Sequence, residues 1–230
     1  MRECTISIAA WSLIFLGGAS PERAPAPREA AAPSVDSRFT EDLLKVGAGY
    51  LKWGRVDDEA RWAPFLCRQP LPAKAHASAS KDADTHGQKL YSLFAKDRAK
   101  YIALAKDKPV PAGQIVVKQS WLPEDTTAPK GSEATIVTRV GHAEQDFSFS
   151  GFDHFSPYAR KGDKWFKAAK PAGLFVMMKL DPKTPDTDEG WVYATLSSDG
   201  RTVTAAGRIE SCMKCHQETK TDRLFGLPTN

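Results

Sequence analysis

The sequence has little cysteine, no internal repeat and no long run of one charge. Only four of its 230 residues are cysteine, too few for a disulfide scaffold in a chain of this size. Only four are methionine, and none of these follows His216. The one long apolar run is at the extreme N-terminus. It is too short to span a bilayer comfortably, which excludes a polytopic membrane protein. Lys and Arg number 32 against 28 Asp and Glu, a formal net charge of +4. With charges so balanced and unclustered, nucleic acid is not an expected partner. Apolar residues make up 41% and charged residues 26%. That composition excludes wholesale disorder and leaves enough chain to bury a core.

Met1-Arg2-Glu3 is a charged start. Ile6 to Leu16 is apolar except for Ser7 and Ser12, and Gly17 and Ala19 are small. This order reads as a signal peptide over residues 1–19, cleaved after Ala19, with an uncleaved anchor as the alternative. Residues 20–36 are rich in Ala and Pro and read as a disordered linker. The leader implies a periplasmic or exported protein.

Residues 37–54 carry Phe39, Leu43, Leu44, Val46, Leu51 and Trp53 at helical spacing, with Ser37 or Thr40 as the expected cap. Residues 55–85 are irregular and polar. Together 37–85 read as a helical and irregular extension. Residues 86–106 read as a helix or two, with a short strand at 90–94 as the alternative. From Gly113 the pattern turns to strands, at 114–121, 134–140, 173–180, 190–196 and 202–205. Asp199-Gly200 is a hairpin signal between the last two. The expected fold class is α+β. An antiparallel sheet domain fills 86–230, with the helical extension before it and a short helix at its C-terminal end.

Cys212-Met213-Lys214-Cys215-His216 is a C-x-x-C-H motif. In an exported chain it is the attachment signal for c-type haem. Two thiols three positions apart reach the two vinyl groups of one porphyrin, and the imidazole that follows falls under the iron. The expected cofactor is therefore one haem c, covalent through Cys212 and Cys215, with His216 as metal ligand. A zinc site would need four ligands, and neither Cys67 nor the other histidines show paired spacing. A thioredoxin-like dithiol would stand after a strand at the start of an α/β fold. His76, His86, His142 and His154 are isolated and read as surface or loop residues. Met177 and Met178 read as core. The iron is thus expected to be five-coordinate with an open distal face, which suits ligand binding or catalysis better than simple electron transfer. Trp121, Trp165 and Trp191 read as core, as does the aromatic stretch Phe147, Phe149, Phe152, Phe155 and Tyr158. Cys67 reads as buried and inert.

The chain resembles the cytochrome P-460 and cytochrome c′-beta group over roughly residues 86–227. The ordered features are Leu90-Tyr91 and Tyr101, the strand Gly113 to Lys118, the stretch from Gly173 to Trp191, and the haem motif followed by Lys220-Thr221-Asp222-Arg223-Leu224-Phe225. The resemblance implies an antiparallel sheet carrying one haem c, as a homodimer. It also implies a role for Lys118. In the P-460 branch the lysine at this place is bonded covalently to the haem edge, and the c′-beta branch lacks that bond. An ordinary strand-end lysine and a partner for a haem propionate are the alternatives.

The resemblance puts Phe175 in the distal pocket, where hydroxylamine-oxidising members have a carboxylate. Phenylalanine cannot titrate, whereas acid–base work needs a group that does. Glu144, Asp146 and Asp153 are substitutes of the right type, though each also reads as a solvated loop residue. Three functions follow. The first is a haem oxidoreductase acting on hydroxylamine or NO, with a soluble cytochrome as redox partner. The second is an NO- or CO-binding sensor or carrier. The third is a simple electron-transfer cytochrome c, which needs Met177, Met178 or a histidine as sixth ligand.

Overall fold

The computed structural model describes residues 34–63, 65–82, 85–104, 108–140 and 151–226. The leader over 1–19, most of the linker over 20–36, and His142, Glu144, Asp146, Phe147 and Phe149 lie outside the described residues.

The chain enters through a 3-10 turn, Ser37–Phe39, then helix α1 (Thr40–Gly49) and a second 3-10 turn, Tyr50–Trp53. Helix α2 (Glu59–Trp62) and the short strands β1 (Ala73–Lys74) and β2 (His76–Ala77) follow. Next come β3 (Leu90–Ala95), helix α3 (Arg98–Ile102), β4 (Ile115–Thr126) and β5 (Ile136–Arg139). The remaining elements are β6 (Phe152–Ser156), β7 (Tyr158–Lys161), β8 (Lys164–Lys179), β9 (Trp191–Leu196), β10 (Val203–Gly207) and helix α4 (Glu210–His216). The fold is α+β, as the sequence implies.

The larger sheet runs β10-β9-β8-β4-β3-β2, with β7 also on β8, and all its pairings are antiparallel. A smaller sheet has the order β1-β6-β5. Side chains alternate across a strand, so the register sorts residues onto two faces. One face presents Phe94, Val117, Leu174, Val176, Val192 and Ala194. Helix α1 and the 3-10 turns flanking it cover it with Phe39, Leu43, Val46 and Tyr50, which recur every three or four residues and form one stripe. Burying each such side chain stabilises the fold by about 1.5–3 kcal/mol. The approach is close. A Cβ on Gly47 would collide with the carbonyl oxygen of Gly200, itself at φ +72 in the β9–β10 turn.

The opposite face presents Tyr91, Leu93, Val116, Met177 and Tyr193. Tyr101 of α3, Val110, Leu224 and the partly buried Cys212 and Met213 of α4 pack over it. In one row across this face stand Leu93, Lys118, Phe175 and Thr195.

Several expectations are corrected. The strand allowed at 90–94 is observed as β3, and the helical expectation for 86–106 is met only by the short α3. All six residues of β3 are buried, so their apolar run lacks helical periodicity. The α1 region is capped by neither Ser37 nor Thr40. The Asp36 carboxylate accepts from the Arg38 N–H at 3.1 Å. Residues 34–36, expected in the linker, are held against β10, where Asp36 N–H donates to Ala206 O at 3.0 Å. Strand β8 begins at Lys164 rather than near Gly173. A register shift opposite Ser120 and Trp121 lets the strand run on through Pro171 and Gly173. Cys67 is exposed, not buried. His76 is buried rather than on the surface, because Asp57 pairs with it at 2.9 Å. Met177, Met178, Trp121 and Trp191 are core residues, and Trp165 is half-buried.

Candidate functional site

Helix α4 is short and buries none of its residues completely. The spacings of three and four put Cys212, Cys215 and His216 on neighbouring parts of its surface. Cys212 is half-buried and Cys215 exposed, and neither forms a disulfide. The Cys212 thiol is pushed above its ordinary pKa by burial.

The His216 Nδ1 lies 2.6 Å from the carbonyl oxygen of Arg223. A carbonyl only accepts, so Nδ1 carries the proton and Nε2 keeps its lone pair. This is how histidines that bind metal are ordinarily held. Burial keeps the imidazole below its usual pKa against the pull of the Arg223 carbonyl. The rings of Tyr193, at 5.6 Å, and Phe225, at 5.0 Å, flank it.

The turn that presents this carbonyl is strained. Asp222 and Arg223 take φ of 39 and 67, a left-handed region costing non-glycine residues about 1–3 kcal/mol. Side chains hold it there. Asp222 accepts from Val110 N–H at 2.8 Å and Trp191 Nε1–H at 3.0 Å, and its carboxylate pairs with Lys179 at 3.0 Å. Arg223 donates to Asp188 at 3.1 and 3.2 Å. Asp188 accepts as well from Tyr193 Oη–H at 2.8 Å and Gln217 Nε2–H at 3.0 Å. Burial opposes ionisation of both carboxyls, but these donors outweigh it and hold both below the usual range.

Facing His216 is a wall of Lys118, Phe175, Lys89 and His86. Lys118 sits directly across from Phe175 in the β4–β8 register. Its Nζ stands 4.1 Å over the Tyr91 ring. Among the described residues no carboxylate pairs with it. Burial, then the Lys89 charge, pushes its pKa down to about 8. Lys89 stands 5.3 Å over the Phe175 ring, and the His86 ring is 4.3 Å from the same ring. His86 and His216 are 6.3 Å apart, centroid to centroid. Burial, then the charges of Lys118, His216 and Lys89, lowers the His86 pKa to about 3, so its imidazole is neutral.

The family model for cytochrome P460 matches residues 73–225. The chain belongs to the cytochrome P460 family. A comparison with curated proteins found no match. Cytochromes of this family carry haem, and the residues of this cytochrome fit that group. Two free thiols and an imidazole with Nε2 left over lie on one helix. His86 Nδ1 is buried without a hydrogen-bond partner. Among the described residues no three His, Cys, Asp or Glu side chains converge as a site for a bare metal ion.

The structure brings Cys212, Cys215, His216, Lys118 and Phe175 to one place. It brings His86 there too, which spacing could not reveal because His86 is isolated in sequence. Of the other described candidates, Met177 lies on the same face as Cys212, in the core beside Tyr193, and the rest are elsewhere. His154 pairs with Asp58 at 3.0 Å, and His76 with Asp57. Asp153 pairs with Arg55 at 3.0 Å and does not substitute for a distal carboxylate. Met178 packs on the α1 face of the sheet, away from α4.

Proposed function

We propose that this cytochrome is an exported, periplasmic mono-haem c protein, attached through Cys212 and Cys215 with His216 as proximal iron ligand. Its chemistry is oxidation–reduction on a small nitrogen compound, hydroxylamine or NO, with a soluble cytochrome as electron partner and a homodimer as its assembly. The observation that carries this reading is the Nδ1–H of His216 donated to Arg223 O at 2.6 Å, on the helix that also bears both thiols.

The haem, when bound, supplies an iron that changes oxidation state. The chain's own residues do the rest. Arg223 O fixes the ring orientation of His216 and raises its basicity. Asp222 and Asp188 hold that carbonyl in place. Phe175 and Tyr91 exclude water. Lys118, with its pKa near 8, offers an amine that is partly unprotonated near neutrality. An unprotonated amine carries the lone pair through which this lysine would act as a nucleophile.

A second reading is supported by Phe175. An apolar side chain beside the site, with no carboxylate paired to Lys118, favours a neutral ligand such as NO or CO over acid–base chemistry on hydroxylamine. The test is to purify the protein from a host that attaches haem c and stain for haem after denaturation. One covalent haem per chain is expected, and none would refute the proposal. Hydroxylamine-dependent reduction of a soluble acceptor then selects the first reading. CO or NO binding without such turnover selects the second. A strongly red-shifted ferrous Soret band marks a Lys118–haem bond.

A further inference from the structure

We propose that His86 is the second axial ligand of the haem iron, so that the resting site is six-coordinate and a small molecule reaches the metal only by displacing this side chain. The inference rests on His216 being the proximal ligand.

Distance is the first observation behind it. The two ring centroids are 6.3 Å apart. Two imidazoles that share one metal through nitrogen bonds of about 2 Å stand roughly 6 Å apart. A histidine that only hydrogen-bonds a molecule already on the iron would stand about 3 Å farther off. The observed separation fits shared ligation, and since an edge-to-face ring pair also spans roughly 4.5–7 Å, the unpartnered ring nitrogen of His86 carries the choice between them. The interplanar angle of 75° agrees with shared ligation, because two imidazoles on one axis can rotate about that axis independently.

Hydrogen bonding points the same way. His86 Nδ1 is buried with no partner, a state that folded chains avoid. His76 and His154 each have a carboxylate instead, Met178 faces the other side of the sheet, and Met177, on the α4 face, is buried in the sheet between Val116 and Tyr193. Among the described residues His86 is thus the ring nitrogen donor left over on the correct face.

Position makes the ligand displaceable. His86 stands in the turn at 85–88, before β3 begins. It can swing away without breaking a sheet hydrogen bond. Phe175, 4.3 Å from the ring, backs it and limits that swing. An arrangement of this kind makes ligand entry depend on the fraction of time His86 is off the metal.

The test uses the purified holoprotein. Ferric absorption and electron paramagnetic resonance are expected to show a low-spin iron. Near-infrared magnetic circular dichroism on the same unmutated sample is expected to show a histidine–histidine pair. His86→Ala should turn the iron high-spin at unchanged covalent haem content, and added imidazole should restore the low-spin state. CO affinity of the ferrous variant should rise about tenfold or more, since ligation holds the open state to a minor fraction. CO binding to the unmutated protein should level off in rate at high CO, where His86 release becomes limiting.

A high-spin iron in the unmutated protein overturns the inference while leaving the covalent haem intact. A histidine–lysine signature also overturns it, and assigns Lys118 instead. Absence of covalent haem overturns the reading on which it rests. The dichroism measurement needs no variant, so a misfolded His86→Ala does not protect the proposal.

Discussion

Arg55 and Lys118 are both cations packed against the large sheet, and the chain treats them in opposite ways. Arg55 donates to the Asp153 carboxylate at 3.0 Å and lies 3.8 Å over the Phe155 ring. Beside it, Asp58 caps α2 by accepting from Arg61 N–H, and also accepts from His154. Trp62 Nε1–H donates to Arg55 O, and Arg98 Nε–H to Val56 O. With Val56 N–H donating to Leu93 O of β3 at 2.9 Å, these bonds join residues 55–62 to strands of both sheets. Lys118 has an aromatic ring and a second lysine for neighbours, and no anion among the described residues. A buried charge with its counter-charge holds a structure together. A buried charge without one is an expense the fold bears for another purpose, which is why perturbed groups gather at functional sites.

The contrast predicts a ranking. Asp153→Ala should have the largest effect on stability, about 3–5 kcal/mol, because it strands the buried Arg55. Urea unfolding measures it, and the haem spectrum of the folded fraction should not change. A changed spectrum would mean that the clamp and the haem site are one system.

Asp222→Ala comes next. Losing the acceptor leaves Trp191 Nε1–H, Val110 N–H and buried Lys179 short of a partner, at about 1–3 kcal/mol for such groups. Here the haem should respond, unlike in Asp153→Ala. With Arg223 O no longer held, His216 becomes a weaker donor, and the reduction potential should rise. A potential equal to that of the unmutated protein would break the link between latch and ligand.

The third effect is of pH. Asp188 and Asp222 have folded pKa values below the ordinary 3.8. The unfolded chain therefore binds protons first as the pH falls, so their stabilisation is complete above 3.8 and is lost below it. Acid titration of unfolding should show a shallower loss in Asp222→Asn than in the unmutated chain. Equal slopes would show that Asp222 is not held in its ionised form.

Lys118→Met should have the smallest effect on stability, neutral or slightly stabilising, because it removes a buried cation with no partner. Its signature should instead be in the haem spectrum. A loss as large as that of Asp153→Ala would erase the distinction between the two regions.

Much of this site was legible before any coordinates. Three of its residues are five positions or fewer apart, and α4 needs only local spacing to present them. The strand bearing Lys118 showed in its β-branched run, and the hairpin at Asp199-Gly200 in its turn chemistry. What escaped notice depends on long-range pairing. Cys67 reads as a small apolar residue, yet its loop leaves it exposed. His86 reads as an isolated loop residue, yet its ring faces His216. Strand β8 extends from Gly173 back to Lys164, because β4 accepts register shifts opposite Pro171 and Gly173.

The sequence by itself determined the thiol and imidazole spacing, the alternation of the strands and the family. These are properties of neighbours along the chain, set by the helical and β periods. Tertiary structure alone decided which charges are matched and which imidazole meets His216. Arg55 and Asp153 are 98 positions apart, and nothing in their local surroundings pairs them. Such contacts follow from strand register, which assigns every side chain to one face or the other.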